Sequence, residues 1–239
     1  RMIVCLDSGN TRIKWGVHDG EHWLGQGAVA HTDVGVLGRL LDDWPNPEKV
    51  MLANVAGPEA GARIRQQLEP WQPVFCEVRS EFRRCGVSNL YRNPESLGVD
   101  RWCALIGARG LTDSAVVVVM AGTATTVDSM NANGQFLGGL ILPGIDLMLR
   151  SLARETAALP FADGIHMPYP RCTDDAIMSG AIEAQAGAIE RAFSRLGDPG
   201  GVCLLSGGNA EQLSQHLVIP LQLTQNLPLE GLRQLALEP

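Results

Sequence analysis

The amino-acid sequence predicts an α/β protein of two similar lobes with a cleft between them. The first reason is the stretch Val116 to Asp128, VVVVMAGTATTVD. Its β-branched run reads as a buried strand. The run breaks at Gly122, and the small residues Thr123, Ala124, Thr125 and Thr126 follow. A second strand then leads to the turn signal Asn131-Ala132-Asn133-Gly134. The second reason is that the N-terminus repeats this design. Met2 to Leu6 reads as a strand, Asp7-Ser8-Gly9-Asn10-Thr11 as a glycine turn, Ile13 to Val17 as a strand, and His18-Asp19-Gly20 as a second turn. The third is the alternation of strands and helices elsewhere, which sets helices on the faces of sheets. No low-complexity linker separates the two copies, so lobes of residues 1–112 and 113–239 are expected to pack directly.

Taken in order, Trp23 to Ala30 is a third strand. Its Gly25-x-Gly27-x-x-Ala30 matches a dinucleotide fingerprint only in letters, because those glycines would have to open a helix directly after a strand. The helix signal comes later, with Thr32 or Asp33 as cap and Val36, Leu37, Leu40 and Leu41 at helical spacing. Pro45-Asn46-Pro47 ends it. Lys49 to Val55 is a strand, Ala62 to Leu68 a helix, and Pro73 to Val78 a strand. Phe82 to Pro94 is irregular and polar, the character of a binding loop. A helix follows, starting near Asp100 and carrying Trp102, Leu105, Ile106 and Ala108.

Beyond the central hairpin, Phe136 to Gly144 is extended, and Gly138-Gly139 permits close backbone approach. Ile145 to Ala153 has helical spacing, with Pro160 closing the segment and Phe161 to Pro170 a loop. A long helix runs from Thr173 to about Leu196, its apolar stripe containing Ile177, Ala181, Ala184, Ala188 and Phe193. Gly180 and Gly187 on it leave room for another backbone, either of a dimer partner or of the same chain. Gly201 to Leu205 is a strand, Glu211 to His216 a helix, and the segment after Asn226 a short closing helix.

The 239 residues are 45% hydrophobic and 19% charged, ordinary for a globular protein with a substantial core. A net charge of −7 argues against a nucleic-acid surface. No apolar run approaches the roughly 18 residues of a membrane helix. The N-terminal apolar run is only about five residues and enters a polar turn, unlike a signal peptide. Neither the six cysteines nor the five histidines show metal-ligand spacing. A reducing, cytosolic compartment is the expectation.

There is no G-x-x-x-x-G-K-[ST] loop. Two glycine-turn hairpins and the late turn Ser206-Gly207-Gly208-Asn209 would instead hold a nucleotide in a cleft. Phosphoryl transfer requires positioned phosphates, charge neutralisation and a base for the acceptor's proton. The turn Asp7 to Thr11 offers donors and a carboxylate able to order Mg²⁺, directly or through water. Lys14 adds positive charge, and Thr123 can hold phosphate from the opposite lobe. Asp100 lies at a helix N-terminus beside Arg101, where it reads either as a cap or as a base kept ionised by its neighbour. Arg101 also suits a substrate carboxylate.

In order, Asp7-x-Gly-Asn-Thr11, Gly98-Val-Asp-Arg101, Gly122-Thr-Ala-Thr-Thr126 and Gly138-Gly resemble the type III pantothenate kinases over nearly the whole chain. The resemblance implies the acetate-and-sugar-kinase/Hsp70/actin fold with two ribonuclease-H-like lobes. It also implies a cytoplasmic homodimer that phosphorylates pantothenate with ATP, the first step of coenzyme A synthesis. Asp7, Ser8, Gly9, Asn10, Thr11, Arg12, Ile13, Lys14 and Thr123 then match the ATP site, and Gly207 and Gly208 would face the nucleoside. Asp100 matches the proton acceptor. Gly98, Val99 and Arg101 match the pantothenate loop, with Tyr91 and Thr173 on the substrate side. One departure stands out. The family usually places an acid two residues before the glycine of its Gly-Thr-Ala turn, serving potassium or ammonium. Here that residue is Met120, a poor ligand for a hard cation, with Asp128 the candidate substitute. Two other readings remain at this stage: a kinase of the same superfamily with a different acceptor, and a non-catalytic transcription accessory protein. Retention of Asp100 speaks against the latter.

Overall fold

The computed structural model describes residues 1–159, 161 and 163–239. They form two compact units. The first comprises Arg1–Asp113, Gly134–Phe136 and Asn226–Pro239, the second Ser114–Asn133 and Leu137–Gln225.

In the first unit, β1 (Ile3–Ser8), β2 (Arg12–His18) and β3 (Trp23–Ala30) form an antiparallel meander. β1 is buried along its whole length and runs on through Asp7 and Ser8, so the predicted turn narrows to Gly9–Thr11. Gly25 and Gly27 lie inside β3. The Trp15 indole lies over Gly27, where a Cβ would meet it at 2.7 Å, so these glycines serve strand packing and open no helix. The helical signal after β3 resolves into a 3-10 segment, His31–Gly38, and a short α1 (Arg39–Asp43). Two glycines and two valines within the 3-10 segment disfavour a longer α-helix. β4 (Lys49–Asn54) adds in parallel to β1, and α2 (Pro58–Gln67) follows it. β5 (Phe75–Glu77) starts later than predicted because Pro73 sits in a preceding 3-10 turn and has no N–H to give a ladder. The sheet order is β3-β2-β1-β4-β5.

The polar loop after Phe82 is less irregular than expected. β6 (Arg83–Arg84) and β7 (Val87–Asn89) form a small hairpin, turned at Cys85 (φ 49°) and Gly86 (φ 76°). α3 (Val99–Leu111) follows, buried from Arg101 to Ala108.

The second unit repeats the plan. β8 (Val116–Ala121), β9 (Ala124–Met130) and β10 (Gln135–Pro143) come first. The helices α4 (Ile145–Glu155) and α5 (Thr173–Leu196) follow, then β11 (Val202–Ser206), α6 (Ala210–Ser214) and β12 (Leu221–Leu223). The strands run β10-β9-β8-β11-β12, with β9 antiparallel and β11 parallel to β8. That is the order of the first sheet, element for element, so the repeat read from the two glycine hairpins extends to whole sheets. The first residues of β10, Gln135 and Phe136, pair with Ser88 and Asn89 of β7 within the first unit. β12, three residues long, has no counterpart in the sequence reading. Pro160, expected to close the segment after α4, lies outside the described residues.

α5 covers β8 and β9 with Ile177, Ala181, Ile182, Ala186, Ile189 and Ala192. Ala184 is exposed, so the buried stripe passes through Ile182 and Gln185 rather than Ala184 and Ala188. Gln185 is tolerated there because its amide donates to the Pro143 carbonyl at 2.6 Å. A Cβ on Gly180 or Gly187 would meet nothing within 4 Å, so among the described residues no backbone packs against them.

The closing helix α7 (Leu227–Leu237) belongs to the first unit and crosses α3 closely: a Cβ on Gly231 would lie 1.8 Å from the Cys103 carbonyl oxygen. Just beyond it, the Glu238 carboxylate accepts hydrogen bonds from Arg84 Nε and, at 3.1 Å, from the Cys85 N–H. All six cysteines are free thiols. Cys5, Cys103 and Cys203 are buried, which holds their thiols neutral and pushes Cys203 up to about 12. Burial, then Glu238, does the same to Cys85, up to about 12. Cys76 and Cys172 are exposed.

Candidate active site

In the first unit, the end of β1, the β1–β2 turn and the start of α3 bring chemical groups together. The turn is closed by the Gly9 N–H donating to the Arg12 carbonyl at 3.0 Å. His31 Nε2, at 2.5 Å, donates to the Gly9 carbonyl and fixes the same turn from the segment after β3. Asn10, Thr11 and Arg12 are exposed, whereas the Ser8 side chain is fully buried and its hydroxyl has no protein partner. Ile13 belongs to the core, so any part it plays runs through its backbone. Lys14 lies directly across the ladder from Asp7.

Asp7 is 8% exposed. Burial, reinforced by the negative charge of Asp100, raises its pKa to about 7, with Lys14 opposing the shift. Asp100 sits in the first turn of α3, and burial raises its pKa as well. The opposing influence is Arg101, whose N–H donates to Asp100 Oδ1 at 2.8 Å. Asp7, buried at a strand end, thus feels the negative charge of Asp100, half-buried at a helix start. Such a pair offers a strong proton acceptor and a place for a cation.

Gly98 is the helix cap, and a Cβ there would lie 2.9 Å from Asp100 Oδ1. Gly98→Ala is therefore expected to push this carboxylate aside and lower kcat by about 10²-fold, the scale of a misplacement near 1 Å. Steady-state kinetics with matched melting curves checks it; an unchanged kcat would show that the carboxylate has room to move.

Arg101 is 4% exposed, and its guanidinium donates to the Tyr91 hydroxyl at 3.0 Å. Tyr91 packs its ring on Phe136 at 5.4 Å between centroids. The loop residues named from the sequence, Tyr91, Gly98, Val99, Asp100 and Arg101, are thus gathered at one helix start.

In the second unit, Gly122, Thr123 and Ala124 form an exposed turn at the end of β8, closed by the Gly122 N–H donating to the Ala124 carbonyl at 3.0 Å. The Gly144 N–H donates to the Thr123 carbonyl at 2.8 Å, seating the turn on the start of α4. Gly144 can be nothing larger, since a Cβ would lie 2.1 Å from the Gly122 carbonyl oxygen. Gly207 (φ 102°) packs on the Ala121 carbonyl, and Asn209 N–H donates to that carbonyl at 3.0 Å. Thr123, Gly207 and Gly208 therefore cluster at the end of one strand. Thr173 opens α5 with its side chain exposed. Met120 lies in register with Ser206 and Thr126, so its thioether shares a sheet face with two hydroxyl side chains.

His31, Asn89 and Gly144 were not singled out as site residues from the sequence. His31 carries no local signal, and Gly144 reads only as a strand-ending glycine. Asn89 is one polar residue among many in a polar loop.

A family model described as type III pantothenate kinase matches residues 3–195. A protein named type III pantothenate kinase from Dechloromonas aromatica is 73% identical, over 99% of this chain and 100% of its own. One of the same name from Aromatoleum aromaticum is 51% identical, over 99% and 98%. Among solved structures, the ethanolamine utilization protein EutJ from Carboxydothermus hydrogenoformans superposes with a TM-score of 0.58 at 14% identity, covering 98% of this chain and 90% of that one. At that identity the likeness concerns the fold alone.

Proposed function

Because the chain belongs to the type III pantothenate kinase family, we propose that it transfers the γ-phosphoryl group of ATP to pantothenate, yielding 4′-phosphopantothenate and ADP in the first step of coenzyme A synthesis. The observation that carries the residue assignment is the pair Asp7 and Asp100, each raised by burial and Asp7 further raised by the charge of Asp100.

Asp100 accepts the proton of the acceptor hydroxyl as that oxygen bonds to the γ-phosphorus and the bond to the β-phosphate oxygen breaks. Its raised pKa makes it a stronger base than an ordinary carboxylate, and the Arg101 N–H holds it in place. Asp7 fits Mg²⁺: it is an oxygen ligand, nearly buried, whose charge is opposed within its surroundings by another carboxylate. The metal supplies neutralisation of phosphate charge when bound. The exposed turn residues Asn10, Thr11 and Arg12, with Lys14, are assigned to the phosphates, together with Thr123. Gly207 and Gly208 are assigned to the nucleoside, and Tyr91, Arg101 and Thr173 to the acceptor.

The donor set around Met120 does not fit the family's monovalent cation, because a thioether stands where a carboxylate is needed. No step is routed through such an ion. A homodimer is assigned with the family. No described helix is long and apolar enough to cross a membrane. Cytoplasmic location and the absence of a nucleic-acid partner are assigned with the family and the net charge of −7.

The test is Mg-ATP and pantothenate with purified protein, assayed for 4′-phosphopantothenate with and without potassium or ammonium. Product formed equally with and without the added cation supports the whole reading. Product only with the added cation overturns the assignment at Met120. No product from folded protein overturns the acceptor.

A further inference from the structure

One buried amide holds together the loop in which the acceptor residues lie. Asn89, the last residue of β7, is 0% exposed. Its backbone N–H donates to the Phe82 carbonyl at 2.8 Å, which closes the hairpin. Its side chain then works in three directions. Nδ2 donates to the Glu81 carbonyl at 3.2 Å, before the hairpin. It donates also to the Pro94 carbonyl at 3.0 Å, at the far end of the loop. Oδ1 accepts the Tyr91 N–H at 3.1 Å.

These bonds use both donors of a primary amide and one acceptor position. The side chains that could replace it are few. A carboxylate of the same shape would set oxygen against two carbonyl oxygens. An alanine would leave a buried N–H and two carbonyls unmatched. The position is thus specified by hydrogen-bond pattern rather than by apolar packing.

The pattern leads on to the reacting groups. Tyr91, whose amide Asn89 holds, accepts a hydrogen bond at its hydroxyl from the buried Arg101. Arg101 in turn holds Asp100 through its own N–H. On the far side, Ser80 is buried and its hydroxyl donates to the Leu97 carbonyl at 2.7 Å, one residue before the Gly98 cap. A continuous set of bonds therefore links Asn89 to the start of α3.

We propose that Asn89 is the positioning residue of the acceptor loop, setting through Tyr91 and Arg101 where the acceptor is held. It touches no reacting atom itself. The inference rests on the assignment of Tyr91 and Arg101 to the acceptor.

The experiment compares Asn89→Ala and Asn89→Asp with the parent in three measurements: melting temperature, steady-state constants for both substrates, and amide hydrogen exchange. The expected result is a KM for pantothenate raised about ten- to hundred-fold, the scale of leaving buried polar partners unmatched. The KM for ATP should stay within about two-fold, since the phosphate turns are held by other bonds. Exchange at the Tyr91 amide and through residues 90–97 should quicken while β1 and the centre of α3 keep their protection. Asn89→Ser, which keeps one donor and one acceptor, should recover part of the lost acceptor affinity and takes the place of either variant that fails to fold.

Two results would overturn the proposal. One is equal loss for both substrates in parallel with melting temperature, the mark of a purely structural amide. The other is a folded variant with unchanged acceptor KM and unchanged exchange at Tyr91. Should the parent itself give no product from pantothenate, the functional reading fails separately, and the exchange measurement alone decides whether Asn89 holds the loop.

Discussion

Asp100→Asn lowers kcat by about 10²–10⁴-fold, the contribution of a well-placed general base, while both substrates bind nearly as before. The substitution keeps the shape of the side chain. Asparagine Oδ1 can still accept the Arg101 N–H that now binds Asp100 at 2.8 Å, so the helix start is preserved. What disappears is the capacity to take a proton. A second consequence identifies the cause. Asp100 is one of the two influences that raise Asp7, so its neutralisation should bring the Asp7 pKa down from about 7. Single-turnover kinetics and carboxyl NMR of the magnesium-free protein test the two parts. Turnover within ten-fold of the parent would remove Asp100 from the base role; a static Asp7 titration would remove the coupling.

Asp7→Asn has the second large effect, and it acts in opposite directions on activity and stability. Loss of the carboxylate removes the ligand proposed for Mg²⁺, and kcat/KM for Mg-ATP should fall about 10²–10³-fold, as when one preorganised electrostatic stabiliser is removed. Stability of the ligand-free protein moves the other way. The folded pKa of Asp7 lies near 7, above its ordinary 3.8. The folded state therefore binds the proton more tightly than the unfolded chain. Its contribution to stability is complete below the unfolded value and is lost as pH rises through about 7. Asparagine carries no charge to bury. The variant should melt above the parent at pH 8, with the gap closing towards pH 5. Melting curves across that range without magnesium are decisive, and a gap independent of pH would show that Asp7 carries no such penalty.

The repeat of the two sheets was legible because it is written locally. A β-branched run, a glycine and a polar turn identify β8 and β9 without reference to anything distant, and Met2 to Gly20 carries the same signs. The start of α3 was legible for the same reason, since a glycine and an acid before an apolar helix make a recognisable boundary. What escaped depends on distant partners. Nothing near Leu227 says that α7 returns to the first unit; that follows from the fit of Gly231 against Cys103. The stripe of α5 was misplaced because a buried glutamine does not look apolar, and its partner, Pro143, lies far away in sequence. β12 is three residues long, too short for a period to register. Asn89 escaped because complete burial of a polar side chain cannot be seen in a polar neighbourhood. The coupling of Asp7 to Asp100 escaped because charge repulsion is a property of distance rather than of order along the chain.

The distribution of thiols has a practical consequence for spectroscopy. Four of the six cysteines are shielded or held in the neutral, unreactive form. The two exposed ones fall one in each unit, Cys76 on β5 and Cys172 just before α5. Brief treatment of the unaltered protein with a maleimide dye near neutral pH should therefore attach two labels and leave Cys85 untouched. Each unit would then carry one reporter dye whose emission can be followed as ATP and pantothenate are added, with no engineered residue in the molecule.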